Sequence, residues 1–200
     1  MNQLIWLIPL LPFAGFLING LGFQRIPKNL VGLIGSGTVL LSFCLVLILF
    51  FQNLSGQISQ STTYTLAPWL QIGNYSVSFS FLVDRLSILF ILVVTGVGFL
   101  IHVYSIGYMK HDEGYGKYFA YLNLFMFSML VLVLGASYVM MFIGWEGVGL
   151  CSYLVIGFWF KKPEYTVAAN KAFIMNRIGD LGFLIGIFML FSSFRSEDVV

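Results

Sequence analysis

Glu146 stands alone among apolar and small residues in the run SYVMMFIGWEGVGLCSYLVIGFWF. A carboxylate at the centre of a segment surrounded by lipid costs roughly 2.5–3.5 kcal/mol on insertion scales. Such a residue marks an ion or proton path, a ligand counter-ion, or a buried pair. Burial disfavours the ionised form of an acid and a neighbouring cation favours it. Proton occupancy at Glu146 could therefore switch with the position of a cation, which is a proton relay in outline. The structural alternative is a permanently protonated side chain that makes one interhelical hydrogen bond. Gly144, Gly147 and Gly149 flank the acid, and small residues there leave room for a second helix, water or a partner side chain.

A second set of polar residues falls in KAFIMNRIGDLGFLIG, which holds Lys171, Asn176, Arg177 and Asp180. Arg177 and Asp180 are three apart, on one helical face and within reach of each other. They form either a neutralised structural pair or charges that tune Glu146 from the neighbouring helix. Asn176, four before Asp180, could share its hydrogen bonds. Asp84 and Arg85 open a third apolar run. Neighbours in sequence do not face each other on a helix, so these two are expected to anchor the interface, each meeting a different helix or a headgroup. His102 and His111 are the only histidines. His102, near the inner end of that run, reads as an interfacial polar residue, with proton loading as its functional alternative.

The elements that must position these side chains are membrane helices. The 200-residue chain is 59% hydrophobic and 9% charged, with a mean hydropathy of +0.94, whereas soluble domains carry about a quarter charged residues. Spans need about 20 apolar residues. They are expected near Leu4–Leu21, Leu30–Phe51, Phe81–Tyr104, Tyr118–Leu134, Ser137–Phe160 and Val167–Phe191, with Pro9 and Pro12 bending the first or marking its entry. The fold class is all-α, a polytopic membrane protein of six helices. Residues 1–110 form a three-helix segment with an outer loop at 52–80, and residues 111–200 begin a second unit of helices four to six. Glu146, about nine residues into the fifth span, sits roughly 13 Å deep.

Arg25, Lys28, Lys110, Lys117, Lys161, Lys162 and Lys171 fall in or beside alternate loops. The positive-inside rule makes those loops cytoplasmic and puts both ends of the chain outside. On the other side only Arg85 and Arg195 come close, and residues 52–80 carry no charge. There Tyr75, Val77, Phe79 and Phe81 alternate with serines after Gly73-Asn74, the pattern of a short hairpin or of an irregular amphipathic loop.

Several classes are excluded. A net charge of +2 with dispersed basic residues does not suit nucleic acid. Cys44 and Cys151 match no metal, haem or disulfide spacing. Gly32, Gly35 and Gly37 lack a preceding strand, so no dinucleotide loop is expected, and Gly182 with Gly186 reads as a helix-packing face. The N-terminal apolar segment reads as a retained span and not a signal peptide, with no basic residue before Arg25.

The runs KYFAYLNLFMFSMLVLVL, FIGWEGVGLCSYLVIGFWF and AANKAFIMNRIGDLGFLIGI, together with Asp84-Arg85-Leu86-Ser87 and the segment from His102 to Met109, closely resemble the large antiporter-like subunit of respiratory complex I, an NADH:quinone oxidoreductase. The resemblance implies a membrane-arm module that moves protons while other subunits, which carry the flavin and iron–sulfur clusters, pass electrons from NADH to quinone. It makes Glu146 the proton-carrying acid, with Asp180 and Arg177 as charges that adjust it. Lys171, His102, Asp84 and Arg85 are possible accessory residues, and no cofactor or metal is expected in this chain. Partners would be other membrane-arm subunits and the C-terminal part of the same subunit, in a bacterial inner membrane. Members of the family are about three times as long, so their partner lysine, broken helices and lateral helix lie outside these residues. A subunit of a multisubunit sodium/proton antiporter and a non-translocating membrane scaffold are the alternatives.

Overall fold

The computed structural model describes residues 4–22, 25–55, 61–72 and 75–194. Six helices run in order: α1 (Leu4–Leu21), α2 (Lys28–Leu54), α3 (Arg85–Tyr108), α4 (Tyr115–Leu134), α5 (Tyr138–Ile156) and α6 (Pro163–Phe194). A hairpin of β1 (Thr62–Ile72) and β2 (Tyr75–Val83) separates α2 from α3. Five helices, α2 to α6, are long and apolar enough to cross a membrane, and α1 is a shorter apolar helix. The expected all-α, multi-pass architecture is the one observed. Helix α1 continues through both Pro9 and Pro12, so neither marks its entry.

The start of α3 differs from the sequence expectation. Phe81 to Val83 are still paired in the hairpin, as Thr62↔Val83 and Tyr64↔Phe81, and the helix begins only at Arg85. Asp84 is its N-cap. The Asp84 carboxylate accepts from the Ser87 N–H at 2.6 Å, and the Ser87 hydroxyl oxygen accepts from the Asp84 N–H at 2.9 Å. This reciprocal capping box satisfies two otherwise orphaned donors. Asp84 therefore holds the helix start, where interface anchoring was expected, because a chain leaving an extended strand must supply a cap. Arg85 is exposed.

The hairpin, one of two readings open for this segment, is well registered, with irregularities between Thr65 and Ala67 and between Pro68 and Leu70. A proline cannot donate to the ladder, so a break beside Pro68 is where one is expected. The Gly73-Asn74 turn and Arg195 lie outside the described residues. Phe81 plugs the hairpin into the main core beside Ile88, Leu130 and Leu134, its ring 4.2 Å from that of Trp6. The Ala136 N–H donates to the Ser80 carbonyl at 3.1 Å, which fastens the hairpin to the α4–α5 link.

The basic loops meet at the opposite end. Lys28 Nζ donates to the carbonyls of Lys110 and Asp112 at 3.2 and 2.7 Å. Trp159 Nε1 donates to Asp112 Oδ2 at 2.8 Å. The charge asymmetry read from the sequence is thus an asymmetry between two ends of the bundle, one basic and one formed by the uncharged hairpin.

Helix α1 packs against α2 and α4, and α5 lies on α4. The last contact is unusually close. A Cβ at Gly144 would stand 2.4 Å from the Leu132 nitrogen and 2.5 Å from its Cα, and one at Gly147 would stand 2.6 Å from Ser128 Oγ. By contrast, nothing lies within 4 Å of a Cβ at Gly179, Gly182 or Gly186. The expected packing face of α6 is therefore open among the described residues: Gly182 and Gly186 line a recess with Tyr138 and Phe183, and α6 packs on α5 alone. Gly32, Gly35 and Gly37 sit inside α2, where Gly35 admits Phe119 and Asn123.

Gly144→Ala should lower the thermal stability of the subunit by about 1–3 kcal/mol, since backbone cannot rotate out of the way as a side chain can. Gly37→Ala, at a position with nothing within 4 Å, should be neutral within about 0.5 kcal/mol in the same melting experiment.

Candidate functional site

Helices α5 and α6 run antiparallel along a seam of interlocking side chains. The rings of Tyr153 and Phe173 are 5.4 Å apart, and a Cβ at Gly149 would touch Asn176 at 3.5 Å. Phe183 stacks on both Trp145 and Phe142, at 6.0 and 5.9 Å. This register leaves Glu146 opposite Arg177 and Asp180 near the middle of both helices.

Arg177 Nη1 donates to Glu146 Oε2. The same nitrogen lies 3.5 Å from Asp180 Oδ2. Asp180 is otherwise held by Trp145, whose Nε1 donates to Oδ1 at 2.8 Å. The guanidinium also sits over the Phe173 ring, 4.7 Å from its centroid, a contact that stabilises a weakly hydrated cation. Arg177, Asp180 and Glu146 differ in access: their side chains are 45%, 8% and 24% exposed. Asp180 is thus the enclosed anchor, and Glu146 is the acid with an open side.

One guanidinium between two carboxylates leaves an excess negative charge when both acids are ionised. Two like charges sharing one cation cannot both be fully compensated. Asp180 has a second donor in Trp145, and Glu146 accepts from Arg177.

Glu146, Arg177 and Asp180 come together in this structure, and the other expected residues do not join them. Asn176 lies against Gly149, and Trp145 makes the hydrogen bond to Asp180 that was expected of Asn176. Lys171 is exposed, six residues from Arg177 toward the basic end of α6. Asp84 and Arg85 stand at the hairpin end of α3. His102 is enclosed by the bundle: it is 1% exposed, its Nδ1 bonds the Gly98 carbonyl at 2.7 Å, and its ring lies 6.0 Å from Phe119. The reason is that His102 lies on the buried stripe of α3, with Thr95, Gly98 and Ser105, where Phe119 of α4 covers the ring.

Trp145 and Phe173 are the members of the cluster that the sequence did not single out. The available signal was an indole donor adjacent to the buried acid, together with an aromatic residue four before Arg177. Among the described residues no three His, Cys, Asp or Glu side chains are grouped to hold a metal ion. A cavity of about 710 Å³ opens at the basic end between Lys117, Asp112, Trp159, Lys161 and Lys162, and Glu146 does not line it.

A helical membrane bundle with a mid-helix acid paired across one helix seam defines an antiporter-like membrane segment. Residues 69–119 match the family described as the N-terminus of chain 5 of NADH-ubiquinone oxidoreductase (complex I), and residues 135–199 match the transmembrane family of NADH:quinone oxidoreductase and the Mrp antiporter. The chain is 43% identical over 191 residues to NADH-quinone oxidoreductase subunit L of Mycobacterium tuberculosis, covering 94% of this chain and 30% of that protein. It is 41% identical to subunit L of Escherichia coli K12, covering 96% of this chain and 31% of the relative. The chloroplast NAD(P)H-quinone oxidoreductase subunit 5 of Zygnema circumcarinatum is also 41% identical, with 95% of this chain and 28% of that protein covered.

Among solved structures, the fold superimposes on the Mrp complex of Dietzia with a TM-score of 0.78 at 24% identity, over 96% of this chain and 20% of that one. It superimposes on the membrane-bound sulfane sulfur reductase, an archaeal respiratory complex, with a TM-score of 0.74 at 18% identity, over 95% of this chain and 28% of that one. The chain belongs to the antiporter-like subunit L and chain 5 family of NADH-quinone oxidoreductases. It corresponds to the N-terminal part of such a subunit and spans about 30% of the length of the curated relatives it matches.

Trp145→Phe keeps an aromatic ring beside Phe183 and removes the N–H to Asp180 together with part of the indole's packing. A hydrogen bond to a charged group contributes about 1.5–3 kcal/mol, so thermal unfolding of the variant should show a loss of that order. Trp145→Phe in an Asp180→Asn background should cost less, which a double-mutant cycle would read directly.

Proposed function

We propose that this chain serves in the proton-translocating membrane arm of an NADH:quinone oxidoreductase. Glu146 is the proton-carrying acid, and Asp180 and Arg177 set its affinity for the proton. The observation that carries this reading is the single guanidinium shared between two carboxylates. Separating Arg177 from Glu146 favours proton uptake at the acid, and bringing them together favours release. A movement that changes this separation converts mechanical work into a change of proton affinity, at about 1.4 kcal/mol for each tenfold step.

The redox chemistry belongs to other subunits in this reading. Flavin and iron–sulfur clusters in a peripheral arm carry electrons from NADH to quinone, and this chain supplies residues that hold and move a proton. Its partners are other membrane-arm subunits and the remainder of the same subunit, in a bacterial plasma membrane. A half-exposed guanidinium in the middle of a spanning helix is stable only against protein or water, which supports a protein or water-filled neighbour for this face of α5 and α6. The likeness in fold to the Mrp complex keeps a second reading, a subunit of a cation antiporter, which would need an ion gradient and no NADH.

Glu146→Gln keeps the shape of the side chain and removes its titratable proton. In membranes oxidising NADH, the variant should assemble normally and take up fewer protons per electron. The share carried by this subunit should fall by an order of magnitude or more, as loss of a positioned proton carrier brings. An unchanged proton-to-electron ratio would remove Glu146 from the mechanism. Activity driven by a sodium or proton gradient without NADH would favour the antiporter.

The basic loops are proposed to face the cytoplasm and the hairpin the outside. A cysteine at Thr63, exposed on the hairpin, should react with a membrane-impermeant maleimide in intact cells. A cysteine at Lys161 should react only after the membrane is opened, and the reverse pattern would invert the topology.

A further inference from the structure

Ser36 and His102 each bury a polar atom, Oγ and Nε2, that has no hydrogen-bond partner. For Ser36 this is out of character with its bundle. Ser42, Thr95, Ser128 and Ser152 all donate to the carbonyl four residues back, the usual refuge of a helical hydroxyl. Ser36 is 7% exposed and His102 is 1% exposed, so bulk solvent serves neither.

The two residues stand at the same level on α2 and α3. Two close approaches fix the register of these antiparallel helices. A Cβ at Gly32 would stand 3.3 Å from the Ile106 side chain, and one at Gly96 would stand 3.1 Å from the Phe43 ring. Positions 32, 36, 39 and 43 recur on one helical face, so Ser36 looks toward α3. It stands four residues on from Gly32, as His102 stands four back from Ile106, which puts both about 6 Å along the helices from the same contact.

Their hydrogen-bonding capacities are complementary. His102 Nδ1 bonds the Gly98 carbonyl at 2.7 Å. A carbonyl can only accept, so in the neutral ring Nδ1 carries the hydrogen and Nε2 presents a lone pair. Ser36 brings a hydroxyl hydrogen. A water molecule accepting from Ser36 Oγ and donating to His102 Nε2 satisfies both atoms, as buried waters do for polar groups left over by helix packing. The neighbours that close the site are the Phe119 ring on α4, 6.0 Å from the histidine ring, and Tyr115, whose hydroxyl would touch a Cβ at Gly32 at 2.5 Å. No Lys, Arg, Asp or Glu occurs in α1, and the Arg177 ion pairs lie on α5 and α6, away from this layer.

We propose that Ser36 and His102 form a buried water-binding site between α2 and α3, which makes His102 Nε2 a hydrated hydrogen-bond acceptor separate from the Glu146 cluster on α5 and α6. The test is a cryo-EM map of the intact membrane complex containing the full-length subunit, at a resolution that shows ordered water. The expected result is a peak at about 2.7–3.2 Å from both Ser36 Oγ and His102 Nε2. Ser36→Ala should abolish the peak, Ser36→Thr should retain it, and Glu146→Gln should leave it in place. A map with Ser36 turned onto the Gly32 carbonyl and no density beside Nε2 would overturn the site, as would a direct hydrogen bond between the two side chains. A peak that survives Ser36→Ala at full strength would overturn the role given to Ser36.

Discussion

The contact between Arg177 and its two carboxylates is the constraint around which α5 and α6 are organised. A lone Glu146 in the middle of an apolar helix would be expensive to ionise, and a lone Arg177 would be equally out of place. Their juxtaposition makes both tolerable, and Asp180 adds a second acid held in place by Trp145. Because the cation is outnumbered, the cluster is not a closed, neutral pair.

Two kinds of packing hold that cluster in position. On one side of α5, Gly144 and Gly147 let the helix lie almost backbone to backbone on α4, and α4 is itself embedded in the core through Leu130 and Leu134. On the other side, aromatic rings set the register with α6, through Phe142, Trp145 and Phe183 above the charges and Tyr153 and Phe173 below them. The first side is fixed by the absence of side chains and the second by large ones. Glu146 lies between a glycine that must face α4 and an indole that must face α6, so the rotation of α5 about its axis is determined.

Much of this was legible in the sequence, for physical reasons. Hydropathy finds membrane helices because lipid demands long apolar runs with internally satisfied backbones, and all six helices lie where those runs are. Glu146, Arg177 and Asp180 were visible because charge is rare there, and their meeting across two helices follows from a short antiparallel connection. The misses have one common cause. Asp84, His102 and Trp145 act through contacts that depend on where an element starts, ends or turns. The hairpin runs into Val83 and makes Asp84 a cap. The face that α3 turns to α4 takes His102 inside. The rotation of α5 gives Trp145 to Asp180 and leaves Asn176 beside Gly149. Boundaries shift by a few residues without changing composition, so composition could not reveal them.

Helix α5 joins α6 to the rest of the described bundle, and its two faces respond differently to force. Against α4 there is no slack, since any approach meets the Leu132 backbone within van der Waals distance of Gly144. Against α6 the contacts are ring stacks and hydrogen bonds between flexible side chains, and α6 packs on no other described helix. Small sliding between packed helices is the ordinary form of shear motion. A displacement applied to this region is therefore taken up at the α5–α6 seam, with α1 to α5 moving as a body. The first quantity such a slide changes is the distance from Arg177 to Glu146, because both reach across the seam. Asp180 shares its helix with Arg177 and would travel with it, so the cation keeps one carboxylate while its distance to the other varies. That asymmetry lets a single shear vary one ion-pair distance without leaving Arg177 unpaired in the membrane.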